Sequence, residues 1–272
     1  MSPFHNAIAL VTGGASGIGR ALCEELGRRG SVVVVTDVNE AGAREVAAGI
    51  AASGGRASAA GLDVRDAEAV RRLFESTAAA HGRLDYVFNN AGFAVSGEVQ
   101  ELSLDHWRRI LDVNLLGVIH GATAAYTLMA RQGSGHIVNT ASLAGLVGFP
   151  SATPYATTKF GVVGLSLSLR AEGKDLGVKV SALCPAFIQT GIFDAGTYVG
   201  SRKEDVLATI PFRIISPAEA VGPILRGVER NRAVIVLPFY ARMMWWLSRI
   251  HPGLAGFLGL RTIRDFRRAR RR

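Results

Sequence analysis

The stretch Ala7-Ile8-Ala9-Leu10-Val11-Thr12-Gly13-Gly14-Ala15-Ser16-Gly17-Ile18-Gly19-Arg20 decides the fold. Its first six residues form a short apolar run, the pattern of a strand buried on both faces. Glycines follow at once, and helical spacing begins at residues 21–29. Strand, glycine loop and helix in this order build a cradle for a pyrophosphate. Glycine lets the chain turn tightly and brings backbone N–H groups close, while the helix N-terminus favours negative charge. Gly13, Ala15, Ser16, Gly17, Ile18 and Gly19 are the candidate contacts. Three glycines alone are weak evidence; the strand before them and the helix after give them meaning.

Outward from this loop, apolar or β-branched runs recur at residues 31–36, 57–62, 86–89, 136–140, 178–183 and 233–237. Helical patterns separate them at 40–52, 67–80, 104–130, 155–173 and 217–230. Buried strands alternating with helices predict right-handed βαβ units, hence a Rossmann-type doubly wound parallel α/β sheet of about seven strands with helices on both faces. Ser216-Pro217-Ala218-Glu219 carries the signals of a helix start, a capping Ser, Pro at the first position and Glu three residues after the cap. No composition break divides the chain before residue 239, so residues 1–238 are expected to form one domain and 239–272 an extension.

The net charge of +9 is unevenly spread: residues 239–272 hold nine Arg and one Asp, leaving +1 for the preceding 238. A nearly neutral body argues against nucleic acid as a partner. Cys23 and Cys184 lack the spacing of a zinc or dithiol site and sit in apolar runs, so buried thiols and no metal are expected. Residues 1–6 are neither basic nor followed by a signal-peptide apolar core, and a reducing, cytoplasmic setting is the default expectation.

Two further features speak to chemistry. Asp37 closes the second strand 18 residues past Gly19, where the adenosine ribose of a bound dinucleotide belongs. A carboxylate there accepts from the ribose hydroxyls and repels a 2′-phosphate, favouring NAD over NADP, although Arg20 or Arg44 could offset the repulsion. Tyr155 and Lys159, four apart on one helix face, pair a phenol with an ammonium that should lower its pKa toward general-base range. Ser142 follows the 136–140 strand and so lies at the sheet edge where open α/β folds bind ligands.

Together these residues resemble the short-chain dehydrogenase/reductase family over roughly residues 6–238. The likeness rests on residues 12–19, Asp63-Val64, Asn89-Asn90-Ala91-Gly92, Asn114, Ser142, Tyr155 through Lys159, and Pro185 through Thr190. It implies that Tyr155 is the general acid/base, that Ser142 polarises the substrate oxygen, and that Lys159 holds the nicotinamide ribose and tunes Tyr155. It also implies that Asn114 positions a water for proton relay. Asp63 and Val64 would contact adenine, and Asn89, Asn90, Ala91 and Gly92 would shape the wall beside the ribose. Pro185, Ile188 and Thr190 would lie along the nicotinamide half. One departure stands out: Ala186 occupies a position where the family usually has Gly, so the turn there should be slightly displaced.

The resemblance makes residues 191–215 a substrate lid, with Phe193, Tyr198, Val206, Leu207, Ile210, Pro211 and Phe212 pointing to an apolar alcohol or ketone. Alternatives are an NADPH-dependent carbonyl reductase and, in another class, a nucleotide-binding membrane-docking or scaffold protein without turnover. The family likeness implies a homodimer or homotetramer. Residues 239–250 have helical spacing, with Met243, Trp246, Leu247 and Ile250 on one side and Arg242 and Arg249 on the other. An apolar patch at 254–260 and an arginine tail follow. This extension could lie peripherally on an anionic membrane, cover the active-site mouth or form a subunit interface, with the basic tail itself solvated.

Overall fold

The computed structural model describes residues 2–193, 196–208, 210 and 212–269. Seven parallel strands form the central sheet: β1 (Ile8–Thr12), β2 (Val32–Asp37), β3 (Arg56–Gly61), β4 (Tyr86–Asn89), β6 (Gly135–Thr140), β7 (Val178–Pro185) and β9 (Val234–Leu237), in the order β3-β2-β1-β4-β6-β7-β9. Two short strands outside it, β5 (Val95–Ser96) and β8 (Thr197–Tyr198), pair parallel with each other. The seven runs read from sequence are the seven sheet strands, each within two residues of its expected bounds. The chain winds outward from β1 through β2 to β3, then returns to place β4 on the other side of β1. That reversal opens a crevice at the C-terminal ends of β1 and β4, where ligands bind in such sheets.

Apolar faces on both sides of the sheet explain the burial. On one side, α1 (Gly17–Arg28), α2 (Glu40–Ala52) and α8 (Pro217–Glu229) bring Leu22, Leu26, Val46, Ile50, Ile224 and Leu225 against Val33, Val35 and Phe88. On the other, α3 (Ala67–His81) and α5 (Gly117–Gln132) bring Val70, Phe74, Ala122, Ala125 and Met129 against Leu10, Val34 and Ile137. Several helices start on side-chain caps. Asp66 accepts from the backbone of Glu68 and Ala69 before α3, and the predicted capping box of Ser216 and Glu219 is present before α8. Such caps are typically worth about 1 kcal/mol each.

The sequence reads residues 104–130 as one helix, and the structure divides it. α4 (Leu104–Leu111) passes into a wider π-turn over Asp112–Leu116 before α5 resumes. Apolar periodicity runs across this turn, so the pattern alone does not show it. The run Leu104–Gln132 is long and apolar enough to cross a membrane. Its buried residues Ala122, Ala125 and Met129, however, belong to the core that covers the sheet.

After β9, α9 (Phe239–Ile250) has the predicted bounds of the amphipathic helix. The face opposite its exposed apolar side carries Tyr240, Ala241, Met244 and Trp245 onto the cluster of Val118, Val162, Ala182 and Cys184. The described arginines of the basic tail are exposed, as expected of a solvated segment, and they lie on a helix, since α10 (Pro252–Ala269) continues through them. Asp265 pairs with Arg261 and Arg268 on that helix. Arg267 reaches Glu98, whose side chain is only 9% exposed, and Phe266 is buried. The predicted tail residues Arg270, Arg271 and Arg272 and the lid residue Pro211 lie outside the described residues, as do the side chains of Leu254 and Leu258 in the apolar patch.

Candidate active site

The glycine loop is shaped by close approaches that no larger residue could make. Gly13 lies at φ +66° and Gly17 at φ +55°, backbone conformations that L side chains rarely adopt. A Cβ on Gly13 would stand 2.8 Å from Ala91 Cα, and one on Gly19 would stand 2.0 Å from the Gly13 carbonyl oxygen. Beside it, a Cβ on Gly17 would press on Thr190 at 3.0 Å, so the loop also touches the start of the lid segment. Ser16 and Ile18 complete the turn into α1, with Ser16 extended at its N-cap.

Asp37 ends β2, and its carboxylate accepts from Ala15 N at 3.0 Å and Asn39 N at 2.9 Å. It thereby holds the middle of the glycine loop against the second strand. The two arginines that could have met a 2′-phosphate are occupied by glutamates: Arg20 pairs with Glu24 and Glu45, and Arg44 with Glu40. Further along the same edge, Asp63 is half-buried and bonded by Arg65, whose guanidinium holds this carboxyl below its usual range. Val64 is buried, and its carbonyl oxygen meets His120 Nδ1 at 2.9 Å.

Across the crevice, Thr12 and Asn90 join the ends of β1 and β4. Thr12 Oγ1 accepts from Asn90 N at 2.9 Å and Ala91 N at 3.1 Å, while Asn90 Nδ2 donates to the carbonyls of Thr12 and Gly13. Asn90, expected with Ala91 in the cofactor wall, also clamps the glycine loop. No local pattern announces that clamp, because its partners are 77 to 79 residues apart.

Asn114 sits in the π-turn with no exposed surface. Its amide bonds the backbone of Phe93 twice, accepting from N at 3.0 Å and donating to O at 2.8 Å. Gly92 fits between two of the predicted residues, since a Cβ there would meet Asn114 Oδ1 at 3.1 Å and Lys159 Nζ at 3.6 Å. Asn114, Gly92 and Lys159 are therefore brought together.

Tyr155 and Lys159 lie in the first two turns of α6 (Thr153–Glu172). Lys159 is 3% exposed, and its Nζ donates to Thr140 O at 2.8 Å while standing 5.5 Å from the centre of the Tyr155 ring. Burial lowers the Lys159 ammonium to about 8. Ser142 begins a short 3-10 turn at Leu143–Gly145, accepts from Ala144 N at 3.1 Å and donates to Pro185 O at 3.4 Å. Its hydroxyl also favours the ionised form of the Tyr155 phenol.

Contrary to the expectation from their spacing, Lys159 is not among the groups that shift Tyr155. Burial raises the Tyr155 phenol above its ordinary value, with the Ser142 hydrogen bond opposing that rise and the nearby Cys184 adding to it. The physical reason is that removing a phenolate from water costs more than these neighbours return. Cys184 itself is a free, buried thiol, pushed up to about 12 by burial.

Pro185 ends β7, and the unusual Ala186 keeps its backbone N–H bonded to Leu237 O at 2.9 Å. Its φ is not in the left-handed region, so alanine is unstrained there. Ile188 is buried and bridges to Ile215, and Thr190 Oγ1 accepts weakly from Ile192 N at 3.4 Å.

Residues 191–215, the segment expected to be a lid, are tied down at both ends. β8 pairs with β5, Tyr198 Oη donates to Phe193 O at 2.7 Å, and Phe212 stacks on Tyr240 of α9 with ring centres 4.5 Å apart. Near α6, Ser151 at φ +61° accepts from Gly97 N at 2.8 Å and Ser96 Oγ at 3.1 Å, which fixes the loop leading to Tyr155. α10 touches α7 (Lys203–Ala208), and its Gly259 packs near Pro150. The extension thus reaches α7 and the loop before α6.

A parallel sheet with a glycine cradle at its switch point, and a Ser-Tyr-Lys cluster on the same edge, defines a dinucleotide-fold protein with a tyrosine-centred site. The chain belongs to the short chain dehydrogenase family, whose profile matches residues 7–197. A solved short chain dehydrogenase/reductase from Burkholderia phymatum in complex with NAD superposes with a TM-score of 0.85 at 28% identity, covering 93% of this chain and 96% of that one. Cyclohexanol dehydrogenase of an Acinetobacter species is 38% identical over 190 residues, 69% of this chain and 75% of that protein. The probable oxidoreductase EphD of Mycobacterium tuberculosis is 33% identical over 259 residues; this chain is matched over 92% of its length but spans only 44% of EphD.

Proposed function

We propose that the chain is an NAD(H)-dependent oxidoreductase acting on a secondary alcohol or ketone, with Tyr155 as its acid/base. The observation that carries this reading is the convergence of Ser142, Tyr155 and Lys159 at the strand edge beside the glycine cradle. The cradle suits a dinucleotide, because its close approaches leave no room for a Cβ at Gly13 or Gly19, and a glycine loop opening a helix is a ready site for a pyrophosphate. NAD is favoured over NADP by Asp37 and by the glutamates that occupy Arg20 and Arg44. The bound NAD of the Burkholderia structure agrees.

When bound, NAD(H) supplies the carbon that accepts or gives the hydride and, in its oxidised form, a positive ring charge. In the oxidative direction Tyr155 Oη takes the proton of the alcohol hydroxyl, and in reduction it returns that proton to the carbonyl oxygen. Ser142 Oγ donates to the same substrate oxygen and stabilises the charge that develops on it. Lys159, with its pKa near 8, can exchange a proton within the working pH range, and Asn114 beside it holds the π-turn at which a relay water would bind. A phenol raised by burial is a ready acid for reduction; in the reverse direction the Ser142 hydroxyl and the positive charge that the oxidised cofactor would bring favour its ionised form.

An apolar substrate is supported by the half-buried lid residues Phe193, Tyr198, Val206, Leu207 and Phe212, and by the edge-on pair Phe149 and Phe187. Cyclohexanol and related alicyclic alcohols are the first compounds to assay, given the Acinetobacter relative. Self-association is supported by exposed Phe160 and Leu167, seven apart on the outer face of α6. The deciding experiment is Tyr155→Phe, measured by NADH formation with a panel of secondary alcohols and by NADH fluorescence titration. Loss of about 10³-fold in kcat with cofactor binding retained is expected. Full turnover in the variant would point instead to a nucleotide-binding scaffold, and tighter binding of NADPH than NADH would overturn the role given to Asp37.

A further inference from the structure

We propose that the outward face of α9, edged by Arg242 and Arg249 and adjoined by the arginine-rich α10, docks the protein on an anionic phospholipid bilayer. The inference does not depend on the catalytic reading. It begins with a stripe of large apolar side chains on a helix whose other face is already used. Tyr240, Ala241, Met244 and Trp245 pack onto the body, while Phe239, Met243, Trp246, Leu247 and Ile250 stand in solvent, Phe239 at 70% and Trp246 at 64% exposure. At 100° per residue these five fall within one sector of the helix. They expose on the order of several hundred Å², the size at which an apolar patch marks an interaction surface.

Charge identifies the occupant. Arg242 and Arg249 are exposed along one edge of the stripe, and Arg249 lies over the Trp245 ring at 5.7 Å. On the adjoining α10, Arg261, Arg264, Arg267 and Arg268 are also exposed, and Asp265 is the one acidic residue of residues 239–272. A second copy of the chain seated on this face would bring two basic rows together, with little acid to separate them. Anionic headgroups neutralise such a row, and the apolar stripe with its exposed tryptophan enters the boundary between headgroup and acyl chain. The fixed contacts of the extension give the surface a defined orientation, because Arg267 is held by Glu98, and Tyr240 by Phe212 of the lid. Docking there sets the lid beside the lipid, from which an apolar alcohol or ketone would arrive.

The test is co-sedimentation of the full chain with vesicles of phosphatidylcholine alone and of phosphatidylcholine mixed with phosphatidylglycerol. Binding to the mixed vesicles is expected, with weak binding to the neutral ones and release as salt is raised. The variant Met243→Ser/Trp246→Ser/Ile250→Ser changes only exposed positions, and its partition coefficient should fall by about tenfold or more. Arg242→Gln/Arg249→Gln should lose the preference for anionic vesicles. Circular dichroism and NADH binding check that both variants are folded. The proposal is overturned if the wild type stays in the supernatant with mixed vesicles, or if the triple variant binds them as the wild type does. It is equally overturned if light scattering shows the triple variant dissociating a larger assembly whose wild-type form does not bind vesicles, which would make the stripe a contact between copies.

Discussion

Gly145→Ala should separate the serine from the tyrosine without touching either. Gly145 ends the turn that Ser142 begins, its N–H bonded to Ser142 O at 2.9 Å. It presses on the backbone of α6, where a Cβ would stand 2.4 Å from Lys159 O and 2.7 Å from Lys159 C. Ordinary contact begins near 3.4 Å, and helix backbone cannot yield as a side chain can. The turn must therefore retreat by about 1 Å, carrying Ser142 away from the Tyr155 hydroxyl. A displacement of about 1 Å at a reacting centre can cost about 10²-fold in rate, and overpacking of this kind typically costs about 1–3 kcal/mol in stability. The glycine cradle lies outside this contact, so NADH affinity should hold. Gly148→Ala is the control from the same loop, because nothing lies within 4 Å of the added Cβ, and it should behave as wild type. The assay is kcat for a secondary alcohol, with NADH titration and thermal unfolding in parallel. A folded Gly145→Ala enzyme within about twofold of wild-type kcat would refute the claim that this contact sets the serine's position.

Two other predictions concern charge. Burial takes Lys159 from 10.5 to about 8, so between those values the unfolded chain holds a proton that the folded chain has released. Stability rises with pH wherever the unfolded state binds more protons, so the buried ammonium penalises folding below pH 8 and the penalty fades towards 10.5. Measured by urea midpoints against Lys159→Met, wild type should gain about 3 kcal/mol across that window, and a pH-independent difference would contradict it. Asp37→Ala removes both the ribose acceptor and the bond to Ala15 N. The NADH dissociation constant should rise about tenfold or more, and that for NADPH by clearly less, because losing the carboxylate's repulsion of a 2′-phosphate offsets the loosened loop; an unchanged ratio of the two would remove Asp37 from cofactor selection.

The parts of the fold legible from sequence are those governed by short-range pattern. Strands buried on both faces read as apolar runs, and the glycine loop reads as a break between two periods, so the seven sheet strands emerge from residues 7 to 237. What the sequence hides depends on contacts between distant segments or on geometry that periodicity does not sense. The Thr12–Asn90 clamp spans 78 residues and follows from β1 and β4 becoming neighbours. The π-turn at Asn114 leaves the apolar pattern intact while changing the backbone. β5 and β8 are two residues each, too short to carry an alternation.

The extension divides along the same line. α9 was legible because helical spacing sets Met243, Trp246, Leu247 and Ile250 apart from Arg242 and Arg249 over three turns, and the structure assigns Tyr240, Ala241, Met244 and Trp245 to the body and leaves the Met243–Trp246–Ile250 side in water. α10 was not, because an arginine-rich tail reads as solvated chain until Asp265 and Glu98 are placed beside its guanidiniums. Pairs at i,i+3 and i,i+4 add only a few tenths of a kcal/mol each to a helix, and surface ion pairs little more. Such weak terms do not by themselves select a helix over coil; the buried Phe266 and the anchor at Glu98 supply the tertiary contacts that do. α10 also lies against α7 and Pro150, so the feature least visible in the sequence is the one that joins the basic surface to residues 191–215 and to the loop before α6.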